Sequence, residues 1–131
     1  MKEHLNPPQL YSGPGFSQVV TAGGGKTVYI SGQIAMDASL KLIGGADVGQ
    51  QADQVFWNLD RAVVAAGGSR ADLVALRVYV VDLDQTKAKA IFGALLRFFG
   101  DESPPAVTML GVAALAVAGL ALEVEAVAVV D

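Results

Sequence analysis

The 131-residue chain contains no cysteine and a single histidine, His4, and charged residues make up only 17% of it. Without cysteine there is no disulfide framework, no thiolate zinc site and no cysteine nucleophile. His4 stands in a polar N-terminal segment, so imidazole-based catalysis has little to work with. Positive charge is sparse and scattered over Lys2, Lys26, Lys41, Arg61, Arg70, Arg77, Lys87, Lys89 and Arg97, in a chain of net charge −4. Phosphate neutralisation needs clustered Lys and Arg, so no nucleic-acid partner is expected. The segment Met1 to Gly13 mixes charges with Pro7 and Pro8 and lacks the apolar run of a signal peptide, which points to a cytoplasmic protein. Gly23-Gly24-Gly25-Lys26 lacks the spacing of a phosphate-binding loop and opens a strand where such a loop needs a helix.

What the chain has in excess is apolar surface: 53% of its residues, against about 45–50% in soluble domains. Its length is that of one domain spanning residues 1–131. An apolar excess in a chain this short predicts a homo-oligomer that buries the surplus between copies. The uncharged stretch from Ser103 to Leu122 is long enough to weigh as a membrane span. It opens with Pro104 and Pro105, is interrupted by Gly111 and Gly119, and runs into Glu123 and Glu125, so it reads as two buried strands joined by a loop, with no membrane contact.

Ser17 to Ala22 and Thr27 to Ser31 are β-prone runs flanking the triple glycine, and they predict an opening hairpin. Asp47, with Gln50 three residues on, is a helix-start signal. Ala52, Val55, Phe56, Leu59, Ala62, Val63 and Ala66 then recur at helical spacing until Gly67-Gly68. Leu73 to Leu83 is dense in Val and Leu and predicts a central strand buried on both faces. Asp84 caps a second helix whose stripe is Ala88, Ile91, Phe92, Leu95, Leu96 and Phe99, ending at Gly100. Strands over Val107 to Val112 and Leu120 to Val130 complete a β-β-α-β-α-β-β order, an α+β layer with both helices on one face of a mixed sheet. The other face needs a cover, and another copy of the chain is the expected one.

This order, with Gly13-Pro14-Gly15-Phe16-Ser17-Gln18, Ser31-Gly32-Gln33-Ile34, Val78-Tyr79-Val80-Val81-Asp82-Leu83, Phe98-Phe99-Gly100, Pro105-Ala106 and Leu122-Glu123-Val124-Glu125-Ala126-Val127-Ala128, resembles the RidA/YjgF family from Pro8 onward. The resemblance implies a chorismate-mutase-like α+β subunit, a homotrimer with its sheets packed inside a barrel, and small-molecule clefts between subunits. It also implies hydrolysis of 2-imino or 2-enamino acids to 2-keto acids and ammonia, with neither cofactor nor metal.

The family's pattern has an arginine after the proline-alanine pair, clamping the substrate carboxylate; here that position is Val107. Only a planar guanidinium offers two parallel charge-assisted bonds to a carboxylate. An unpaired buried carboxylate costs about 3–5 kcal/mol. The resemblance gives Glu123 the role of holding or activating the hydrolytic water and sets Met109 at a ligand-contacting position. It places Ser31 at the cleft, and puts Phe16 where a tyrosine is usual. An endoribonuclease label also attaches to the family, but this acidic chain offers no cationic phosphate contacts.

Glu123 and Glu125, roughly 7 Å apart along a strand, leave the same face and form either an acid–base pair or a solvated or salt-bridged strand face. Arg77, on the same face as Tyr79, either pairs with an acid such as Glu125 or Asp82 or supplies a cation to the cleft. Trp57 reads as subunit packing or a half-buried surface aromatic. Two functions follow. One is a deaminase-type hydrolase of altered substrate, which is neutral or held through another cation. The other is a non-enzymatic protein that binds a small metabolite or a partner in a cleft lined by Phe16, Val107 and Met109. An apolar cleft lining favours the second, and Arg77 pointing into the cleft favours the first.

Overall fold

The computed structural model describes residues 1–131. Strands β1 (Lys2–Leu5), β2 (Val19–Ala22) and β3 (Lys26–Gln33) are followed by helix α1 (Val48–Ala65), strand β4 (Leu73–Val81), helix α2 (Gln85–Phe99) and strands β5 (Ala106–Val112) and β6 (Leu122–Val130). A one-turn 3-10 helix over Arg70–Asp72 leads into β4. The sheet is four-stranded in the order β3-β6-β4-β5; β4 and β5 run parallel, joined by α2 as crossover, and the other pairs are antiparallel. This is the α+β layer expected, with a mixed sheet.

Both helices begin where short polar side chains satisfy the free N–H groups of the first turn. The Asp47 carboxylate accepts from the Gln50 backbone N–H at 3.0 Å, and the Gln50 amide donates back to it at 3.4 Å. Asp84 accepts from the Lys87 N–H at 2.8 Å. Gly67 (φ +87°) ends α1 and Gly100 (φ +56°) ends α2 in conformations that cost a Cβ-bearing residue energy. The apolar stripes, Val55, Phe56, Leu59 and Val63 on α1 and Ile91, Leu95 and Phe99 on α2, pack on Leu76, Val78, Val80, Leu122, Val124 and Ala126 of the sheet. Each fully buried Val or Leu side chain contributes about 1.5–3 kcal/mol of transfer free energy.

Three expectations are corrected. The triple glycine does not close a hairpin between β2 and β3: β2 pairs antiparallel with β1, Lys2 opposite Ala22 and Leu5 opposite Val19. The element order is therefore β-β-β-α-β-α-β-β. His4 is accordingly not in a tail but in β1, where its Nδ1 donates to the Pro104 carbonyl at 2.9 Å. Finally, β4 is an interior strand but is buried on one face only: Leu76, Val78 and Val80 are covered by the helices, while Arg77 is exposed and Tyr79 half-buried. No layer of this chain covers the second face.

The β1–β2 pair ties the N-terminal segment to the sheet. Lys2 Nζ donates to Asp72 at 3.0 Å. Burial raises the Asp72 carboxyl, but the bonds from Lys2 and the Ser69 backbone outweigh it and hold the group below its usual range. Ser17 donates through its N–H to Pro105 O at 2.9 Å and through its hydroxyl to Pro104 O at 2.6 Å, fixing the start of β5. The uncharged segment forms β5, a loop and the start of β6, and no helix is long and apolar enough to cross a membrane. Buried Gln51 pegs that loop to α1, donating to Gly119 O at 3.0 Å and accepting from the Ala121 N–H at 2.8 Å.

Candidate functional site

Pairing register decides where the five residues singled out from sequence lie. Val107 and Met109 stand opposite Leu76 and Val78, so they leave β5 on the helix side of the sheet. There, with Phe16, they line a groove of about 610 Å³ between β5 and the first turns of α2. The far wall is Gln85, Thr86, Ala88, Lys89, Phe92 and Leu95. Phe16 reaches it because the preceding residue is glycine: a Cβ on Gly15, at φ +86°, would fall 2.7 Å from Phe92 Cζ. The loop thus lies directly on α2 and turns Phe16 into the groove.

Ser31 and Glu123 lie elsewhere. Leu122 and Val124 face the helices, so Glu123 and Glu125 project from the uncovered face, and Ser31 is exposed next to buried Ile30. One chain therefore brings Phe16, Val107 and Met109 together and holds Ser31 and Glu123 on the opposite side of the sheet. Gly32 seats Glu123: a Cβ there would fall on the carboxylate, within 2.5 Å of Glu123 Cδ. Gly32 is a candidate site residue that only its place in the Ser-Gly-Gln motif hinted at.

The two glutamates are not equivalent. Tyr79 donates its phenol to Glu125 in a short hydrogen bond, and Arg77 lies 3.8 Å from the same carboxylate. Of the alternatives for Arg77, pairing with Glu125 is the one found, and no part of it lines the groove. The bond to Glu125 holds the Tyr79 phenol protonated above its ordinary range of about 10. Glu123 has no such partner within the chain, so its carboxylate is free to accept a proton or a water. No group of three or more His, Asp or Glu is placed to hold a metal ion. Trp57 is 59% exposed on the outer face of α1 with Arg61 over its ring at 5.8 Å, away from the groove.

Residues 9–130 match the family model described as Endoribonuclease L-PSP. The chain belongs to the RidA/YjgF (endoribonuclease L-PSP) family. It superposes on the crystal structure of the Rid family protein YyfB of Yersinia pestis with a TM-score of 0.94, at 37% identity and 98% coverage of both chains. Among curated relatives, DfrA of Myxococcus xanthus is 34% identical over 87% of this chain and 84% of its own. A protein of Dermatophagoides farinae named 2-iminobutanoate/2-iminopropanoate deaminase is 32% identical over 88% of this chain and 86% of its own. The groove's lining holds one charged side chain, Lys89, which sequence reasoning missed.

Proposed function

We propose that the chain is a cofactor-free, deaminase-type hydrolase of imines or enamines that works as a homotrimer. Its cleft is composite: the groove of Phe16, Val107 and Met109 from one copy is closed by Ser31 and Glu123 from the uncovered face of the next. The observation that carries the reading is the unpartnered Glu123 carboxylate seated on Gly32, beside a Glu125 already engaged by Tyr79 and Arg77. The deaminase name of a 32% identical relative supports the reaction class.

In this reading water adds to the imine carbon as Glu123 takes one of its protons and passes it to the nitrogen, giving a carbinolamine. The C–N bond then breaks as the hydroxyl becomes the carbonyl, its proton passing through Glu123 to the nitrogen, which leaves as ammonia with the carboxylate regenerated. Val107 in place of the clamping arginine makes the substrate other than a standard small 2-imino acid.

Imines generated in situ by an amino acid oxidase, followed as loss of the imine signal, test this. The native chain is expected to hydrolyse imines with bulky apolar substituents, Glu123→Gln to lose about 10²-fold or more, and Val107→Arg to gain activity on small 2-imino acids. A native chain inert on every imine would overturn it. The groove's largely apolar lining supports a second reading, metabolite binding without turnover, and that result would favour it.

A further inference from the structure

The groove's lining contains no carboxylate, although the chain as a whole carries net charge −4. Its one charged group is the Lys89 ammonium, and Lys89 makes no hydrogen bond or ion pair with any residue of the chain, whereas nearby Lys87 is spent on the Val81 carbonyl at 3.0 Å. Gln85, Lys89 and Phe92 stand at i, i+4 and i+7 on α2, so they form one stripe facing the groove. Across it stand Val107 and Met109, with Phe16 at the end. The wall is therefore an apolar slot with a single positive group at one side and the Gln85 and Thr86 side chains next to it.

We propose that Lys89 replaces the missing arginine as the anion-recognition residue, and that the groove takes a monoanionic substrate, a carboxylate bearing a bulky apolar or aromatic group. This rests on the reading of the groove as the substrate cleft. A lysine is a compact point charge and holds one oxygen of a carboxylate, not both, so orientation falls to the apolar part of the ligand. Phe16, Phe92, Val107 and Met109 give that part its surface. Alanine, a valine-sized side chain or any other small substituent would leave most of a space of about 610 Å³ unfilled, which separates this specificity from that of a guanidinium clamp.

Phenylacetate and its neutral isostere phenylacetamide are the probes. Binding to the full chain, in its solution assembly, is followed by calorimetry and by the methyl resonance of Met109, one of only three methionines. Phenylacetate is expected to bind about tenfold tighter than the amide, as a charge-assisted bond warrants. Lys89→Met, which keeps the stem, should bring phenylacetate down to the affinity of the amide; Lys89→Arg should retain the preference. Lys89→Met combined with Val107→Arg should restore carboxylate preference, showing that the groove is intact. Equal binding of the two probes to the native chain, or a preference that survives Lys89→Met, would overturn the proposal. Because no turnover is read, an inert protein that still prefers phenylacetate through Lys89 refutes imine hydrolysis alone. An active one without that preference refutes Lys89 alone.

Discussion

The same strands present two unlike surfaces. Toward the helices β4 and β6 offer Leu76, Val78, Val80, Leu122 and Val124, each at most 2% exposed. On the reverse, one residue along in every case, they offer Arg77, Tyr79, Glu123 and Glu125. The first surface is held by packing and tolerates little change. The second is organised by hydrogen bonds and charge, with Tyr79 and Arg77 engaging Glu125 and leaving Glu123 open. Strand alternation therefore lets a single β6 serve the core with its even-numbered residues and the candidate chemistry with its odd-numbered ones.

The contrast is sharpest under truncation. Leu122→Ala should destabilise the chain by about 2–5 kcal/mol, while Thr108→Ala, exposed on the reverse of β5, should stay within about 0.5 kcal/mol. Chemical denaturation midpoints measure both, and comparable losses would break the distinction. On the reverse face itself, Gly32→Ala should push the Glu123 carboxylate off its seat, cutting imine hydrolysis severely at little cost in stability; unchanged turnover would mean that the seat is irrelevant. The smallest effect is electrostatic. Because the Tyr79 phenol is held above its ordinary range by Glu125, folding is favoured by that bond at pH below the unfolded tyrosine's value of about 10. The contribution is lost as pH rises through the higher folded value. In Glu125→Gln the Tyr79 phenolate transition, followed by ultraviolet absorbance, should move to lower pH.

Much of this was legible in the chain. Asp47 and Asp84, the helical stripes and the closing glycines located both helices, and the alternation of Leu122-Glu123-Val124-Glu125 showed which glutamates share a face. The first strand was not legible, because its inward positions are Lys2 and His4, half-buried polar groups held by named partners, so no apolar period of two marks it. The covering of β4 was misjudged for a related reason: Val-rich composition records how apolar a strand is, not which of its faces the chain itself covers. For the site, the family resemblance named the residues, but only the strand register showed that a sheet divides them. The one charged group of the groove stands on a helix, not on the strand that carries Arg77. The i, i+4, i+7 stripe that puts Lys89 in the groove was readable once α2 was assigned.

The place of β6 also governs how the molecule forms. It lies between β3 and β4, yet is synthesised after every strand it joins. Until residues 122–130 emerge, β3 and β4 have no shared partner, and their ladder N–H and C=O groups stay open to other chains. Until β6 joins them the growing polypeptide holds two unsealed halves, and closure is a long-range event. Substitutions in β6 should therefore lower the yield of folded protein in cells by more than their equilibrium effect implies.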